Sequence, residues 1–151
     1  MNLPQLVSAA FVTGCLLAGS SPCLAGGNPT TSAVTVVVSQ LASTQAAVKL
    51  YFYNVREGFL QPKQYAFMKV VRPGGQDRIT LPVELANGDW AVAITQDTNN
   101  NDKLDKNMVG IPTEPYAFSN NVRPRFAPPE FDDCKFTVSG PGKVVNIVLK
   151  P

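Results

Sequence analysis

Asp97, Asn99, Asn101 and Asp105 stand at relative positions 1, 3, 5 and 9 of one stretch, with Lys103 at position 7. That is the ligand spacing of a calcium loop. Side-chain oxygens at alternate residues turn inward, and the backbone carbonyl of position 7 joins them. Oxygen donors suit a hard cation, and nothing soft stands beside them for zinc or copper. Two positions depart from the helix-loop-helix type. Asp102 takes position 6, where glycine is usual; aspartate tolerates a left-handed backbone better than most residues. Met108 takes position 12, so the bidentate glutamate is missing. The expectation is a weak structural calcium site, with a dissociation constant of about 10⁻⁴ to 10⁻³ M. Glu114, Glu130, Asp132 or Asp133 could fold back to complete the shell. The plainer reading is a self-capped turn, whose Asn and Asp side chains bond their own backbone without an ion.

These residues open a stretch, 97–133, that lacks strand-like alternation and holds seven of the chain's eleven carboxylates. A loop of that length in a small domain is functional or disordered, and its many backbone-fixing groups point to functional order. Tyr116, Phe118, Phe126 and Phe131, with Arg123, suggest a groove for a sugar or a peptide. The same rings could instead pin the loop down as a local mini-core, each buried aromatic contributing about 1.5–3 kcal/mol. Anchoring is the preferred reading.

Other chemistries find less support. Histidine is absent, which removes the usual base at neutral pH and the usual zinc or copper ligand. A hydrolase would have to rest on Glu130 with Asp132 or Asp133 as an acid–base pair, and the chain is read as a non-enzyme. Lys49 and Asn146 could form an intramolecular isopeptide bond, with Glu84 or a loop acid as catalyst, although Lys49 pointing into solvent is the plainer reading. The formal charge of +2 is spread out, with no basic run longer than Arg123–Arg125. Nothing in it suggests a nucleic-acid footprint, and none is expected.

The 151 residues, 44% hydrophobic, imply one domain with a real core. The first 25 carry no charged side chain, and an apolar run from Leu6 to Ala18 leads to small residues and Ala25. This reads as a secretory signal cleaved after Ala25. Export to the periplasm or beyond follows, with no stable transmembrane segment. Val12–Cys15 also looks like a lipoprotein box, which would lipidate Cys15; that is the minor alternative. Cys134 would then be the one cysteine left, so no internal disulfide forms and the core, or a metal, carries stability. Cys134 itself reads as a buried small hydrophobe.

Residues 26–32 read as a flexible lead-in to a domain at 33–151. Strands are expected over 33–39, 46–53, 66–71, 78–83, 89–96, 134–138 and 143–149. In the second, Val48, Leu50 and Phe52 face one way and Lys49, Tyr51 and Tyr53 the other. In the fifth, Trp90, Val92 and Ile94 oppose Ala91 and Ala93. Short turns predict a hairpin across 41–45 and another around Gly140-Pro141-Gly142, with Asn87-Gly88 a tight turn between. No sustained helical period appears, though 59–68 could hide a short helix. The fold class is all-β: an antiparallel two-sheet sandwich of about seven strands, immunoglobulin-like or transthyretin-like, with the long loop between the fifth and sixth.

One ordered series of motifs carries a resemblance. Asp97-x-Asn99-x-Asn101-x-Lys103-Leu104-Asp105-x-Asn107 is followed by Gly110-Ile111-Pro112-x-Glu114, Phe118-Ser119-Asn120-Asn121 and Pro128-Pro129-x-Phe131. The series resembles the secreted bacterial family catalogued as domain of unknown function 2141, over most of the chain after Ala25. The resemblance implies an exported β-sandwich of the transthyretin-like or carboxypeptidase-regulatory-like kind, with no biochemical activity attached. Gln96 stands where the family usually has His, which removes any His-dependent role. Asp102 stands where it has Gly. The partners left open are a saccharide, a peptide or a surface protein.

Overall fold

Val34, Val36 and Val38 are buried while their neighbours Ala33, Thr35 and Val37 are not. Alternation of this kind is what a pleated strand with one face on a core requires. The computed structural model describes residues 30–149, and such runs build its strands. They are β1 (Thr31–Ser39), β2 (Ala47–Tyr53), β3 (Phe67–Val71), β4 (Arg78–Ala86), β5 (Gly88–Asp97), β6 (Tyr116–Phe118), β7 (Phe136–Val138) and β8 (Lys143–Val148). A 3₁₀ turn, Ser119–Asn121, and a one-turn helix α1, Phe131–Cys134, complete the described elements.

The strands form two sheets. In the first, β1 lies between β4 and β8; the second runs β3-β2-β5-β6, and β7 pairs with the start of β5. Val36, Leu85 and Ile147 from the first sheet share one core with Leu50, Phe52 and Ile94 from the second. The molecule is mostly β, two sheets closing on one apolar layer.

The expected hairpins are corners instead. β1 pairs antiparallel with β4 and parallel with β8, whereas β2 pairs with β3 and β5. The 41–45 turn therefore carries the chain from one sheet to the other. Asn87-Gly88 does the same between β4 and β5. Phe136 and Val138 pair with β5 rather than with Val145 and Ile147, and β8 returns alongside β1. The parallel β1–β8 pair means the sheets are not purely antiparallel. The physical reason is that alternation specifies which side chains are buried, and crossing to the facing sheet buries them equally well.

Three smaller differences matter. Thr31 and Ser32 are part of β1 rather than of the lead-in. Residues 59–66 form turns and bends, with Phe59 N–H donating to Arg56 O, and 67–68 open β3, so no helix forms there. The stretch 97–133 is not one loop: β6 pairs with β5 from inside it, and α1 closes it. The expected signal segment, Cys15 and residues 26–29 lie outside the described residues.

Candidate functional site

Side chains of the second sheet that point away from the core meet water, the long stretch or the turn at 59–65. In register, Tyr51, Ala93 and Phe118 form one row across β2, β5 and β6, and Lys49, Thr95 and Tyr116 form the next. The central strand supplies the small residue in each row. A trough therefore runs along β5 between aromatic walls. At one end it is filled by a second apolar cluster in which Tyr53 and Ala91 pack with Phe59, Phe131 and Cys134. Beyond that cluster it stays open, as a cleft of about 510 Å³. The turn around Leu60–Tyr65 and two arms of the long stretch, near Val109–Pro112 and Pro124–Pro129, form its walls.

The rings are set by one another. Tyr51 and Tyr65 lie 5.4 Å apart between centroids, tilted at 58°. Tyr116 and Phe118 lie 5.8 Å apart, edge to face, the geometry that ring quadrupoles favour. Burial, with Tyr51 and Tyr65 adding to it, pushes the Tyr53 phenol up to about 12, so it is a neutral donor at any ordinary pH.

The Asn/Asp segment forms a tight turn beside this cleft. Asp97, 2% exposed, accepts the Asn101 N–H at Oδ1 (3.1 Å) and the Asp102 N–H at Oδ2 (2.8 Å). Asn100 and Asp102 take left-handed backbones, with φ of 57° and 62°. Asn99 Oδ1 accepts the Asn101 N–H at 3.2 Å, and Asn101 Oδ1 accepts the Lys103 N–H at 2.8 Å. Both amides donate to Asp105 Oδ2, Asn99 at 2.5 Å and Asn101 at 2.8 Å. Glu114 folds back onto the turn: Thr98 N–H donates to its Oε1 at 2.9 Å and Asp105 N–H to its Oε2 at 3.4 Å. The Lys103 side chain stays in solvent.

Lys49 does not point into solvent. It is 7% exposed, and its Nζ lies 3.2 Å from Asp97 Oδ2 and 3.1 Å from Asp102 Oδ1. Burial acts to lower its pKa, but hydrogen bonds to Asp102 and Asp97 outweigh it and hold the ammonium above the ordinary lysine value. Burial likewise acts to raise Asp97. Bonds from Lys49 and from the Asp102 and Asn101 N–H groups outweigh that and hold it below the usual carboxylate range. Asn146 and Glu84 sit on the other sheet, so the isopeptide partners are not brought together.

Among the described residues, no three acidic, histidine or cysteine side chains gather as a metal centre. The calcium-loop positions instead offer two carboxylates, Asp97 and Asp105, and two amides, Asn99 and Asn101. That donor set fits calcium by type, all hard oxygen. Binding would require the Asn99 and Asn101 amides to rotate, presenting oxygen where they now donate N–H to Asp105, and Asp97 to share its charge with the Lys49 ammonium already 3.2 Å away.

The other expected residues divide sharply. Tyr116, Phe118 and Phe126 line the cleft. Phe131 is buried against Phe59 instead, at 5.8 Å between centroids. Arg123 is occupied elsewhere, its Nη2 donating to Val148 O at 2.6 Å. Glu130 and Asp133 cap α1, the Glu130 N–H donating to Asp133 Oδ2 at 2.9 Å. Asp132 accepts from Arg56 Nη2 at 2.8 Å and pairs with Lys135 at 3.3 Å. Arg56 first, then Lys135, hold it below the usual carboxylate range against the opposing effect of burial. None of these three acids reaches the Asn/Asp turn. Cys134 is fully buried, and burial, with Asp133 adding to it, pushes its thiol up to about 12.

Tyr51, Tyr65, Lys63, Lys106 and Arg125 line the cleft without having been expected there. Tyr51 was findable, since alternation already put it opposite the core face. Ser119, fully buried, accepts the Val92 N–H at 2.9 Å and donates to Cys134 O at 2.5 Å. It ties the arm to β5 beneath the second cluster.

A family model described as an uncharacterised protein conserved in bacteria, DUF2141, matches residues 36–146. The chain belongs to this family. No curated protein and no solved structure matches it. In this DUF2141 chain the motif series serves the outer face of one sheet. Its first part makes the Asn/Asp turn, Gly110–Pro112 one wall of the cleft, Glu114 a brace on the turn, Phe118 part of the cleft lining and Ser119 the tie to β5. No helix among the described residues is long and apolar enough to cross a membrane.

Proposed function

We propose that this chain is an exported, non-enzymatic binding module of immunoglobulin-like or transthyretin-like arrangement, whose site is the open cleft over Tyr51, Ala93 and Tyr116. One observation carries this reading: the outer face of the second sheet is neither polar, as a solvated face would be, nor fully covered. It presents aromatic rings beneath about 510 Å³ of open space, within the range of small-molecule sites. Phe126, 101% exposed on the rim, belongs to the same site. The Asn/Asp turn is its support, positioning the arm that leads to Gly110–Pro112. Calcium held by Asp97, Asn99, Asn101, Asp105 and the Lys103 carbonyl would act there as a weak structural ion that stiffens the turn. The acids outside the turn support the non-enzymatic reading, since Glu130, Asp132 and Asp133 are engaged in capping and ion pairs.

Heteronuclear NMR of the purified protein tests the site, with short saccharides, proline-rich peptides and single-chain amphiphiles as probes. Saturable shifts confined to Tyr51, Tyr65, Tyr116 and their neighbours are expected from one class. No shift in the cleft from any probe would end this reading.

A further inference from the structure

The cleft's own lining narrows what enters it, and this inference rests on the cleft being the ligand site. Its charged side chains are Lys63, Lys106 and Arg125, all cations. No carboxylate lines it, although the chain has eleven acids. Among the described residues, none of the three cations has an ion-pair partner. Most of the remainder is apolar out to the rim. Of the nine exposed large hydrophobic residues described, four line the cleft: Leu104, Val109, Ile111 and Phe126. Exposed apolar side chains gathered in one patch mark a binding surface. A neutral saccharide needs dense hydrogen-bonding groups for its hydroxyls. This cleft offers one carboxamide, Gln61, besides Thr95 and the tyrosine hydroxyls.

We propose that the cleft binds a single-chain amphiphile, its apolar chain lying in the trough over Ala93 and its anionic head group meeting Lys63, Lys106 and Arg125. Charge complementarity selects the head group; Ala93 and Thr95 on β5, beside Tyr51 and Tyr116, make room for the chain. The floor, on the second sheet, carries no charged side chain. Specificity therefore lies in the arms, which carry two of the three cations and most of the cleft's exposed apolar side chains.

Dodecanoate, dodecyl maltoside and dodecyltrimethylammonium, each kept below its micelle concentration, share one chain and differ in head charge. Titrated into the protein by NMR, dodecanoate is expected to shift Tyr51, Tyr65 and Tyr116 saturably. It should bind at least about tenfold more tightly than the trimethylammonium compound, equivalent to about 1.4 kcal/mol. In the triple variant Lys63→Gln, Lys106→Gln, Arg125→Gln that preference should vanish while residual chain binding persists. The three positions are exposed, so the variant folds, and an unchanged amide spectrum elsewhere verifies it. Equal affinity for all three heads would overturn the charge assignment. Cleft shifts with a saccharide or peptide and none with dodecanoate would overturn this inference but leave the binding module standing. Binding to anionic phospholipid vesicles without any response to dodecanoate would overturn it in favour of docking on a membrane surface. Silence of the cleft towards every probe would remove both readings together.

Discussion

The Lys49 ammonium lies 3.2 Å from the Asp97 carboxylate, across the diagonal between β2 and β5 on the outer face of the second sheet. The pair joins residues 48 apart in the chain and anchors the Asn/Asp turn to the sheet it borders. Removing one partner of a buried pair leaves the other charge uncompensated, which costs more than the pair contributes. Lys49→Met is therefore expected to lower the thermal midpoint more than Lys135→Met, whose ion pairs are half exposed. Equal midpoints would show that the Lys49 pair anchors nothing.

The same groups set the pH dependence. Asp97, Asp89 and Asp132 have folded pKa values below their ordinary ones. Their contribution is present above the unfolded carboxylate pKa of about 3.9 and disappears as pH falls through the folded values. Lys49 and Lys135 are raised, as are Cys134 and Tyr53, both pushed up to about 12. Their contribution is full below the unfolded values, the lowest being about 8.5 for cysteine, and is lost as pH rises through the folded ones. With no histidine, stability measured by urea denaturation is expected to be flat between about pH 5 and 8.5. It should fall on both sides, with Asp97→Asn shrinking the acid limb. A step near pH 6.5 would contradict this assignment.

Gln96 is fully buried and closes the corner between β1 and β2. Its Oε1 accepts the Ala42 and Ser43 N–H groups at 2.8 and 3.2 Å, and its Nε2 donates to Ser43 O at 2.6 Å. Gln96→Leu keeps the bulk and orphans these backbone groups, at a cost of about 2–4 kcal/mol. A loss under about 0.5 kcal/mol, the usual range for a surface change, would mean that water replaces the amide.

Phe126 and Phe131 separate binding from anchoring. Phe131→Ala empties a place in the second cluster and is expected to cost about 3–5 kcal/mol. Phe126→Ala removes a ring that touches solvent, so stability stays within about 0.5 kcal/mol while dodecanoate binding weakens. The reverse pattern would make Phe126 the anchor of its arm.

Calcium is read from melts in excess EGTA and in 10 mM calcium. If the dissociation constant is about 10⁻⁴ to 10⁻³ M, linkage adds about 1.4–2.7 kcal/mol of stability. Asp105→Ala should abolish the gain. Identical melts would leave the turn as a self-bonded structure held by Lys49 and Glu114.

Much of this architecture was legible locally. The alternation of β2 and β5 determined that Leu50, Phe52, Val92 and Ile94 face the core, because a strand's side chains have a period of two whatever it pairs with. The Asn/Asp spacing showed that 97–105 forms a turn of inward-facing Asx groups, because these short side chains reach backbone N–H groups two to five residues away; it left open whether an ion sits among them. Neither signal carries information about distant partners. That β1 neighbours β8 rather than β2, that Lys49 is buried by Asp97, and that Tyr51, Tyr116 and Phe126 border one cleft were decided only by tertiary packing. Two facing sheets satisfy the same buried pattern through several connections. The choice among them is made by non-local contacts, such as Gln96 in its corner and Ser119 between β5 and α1, which no local window of sequence contains.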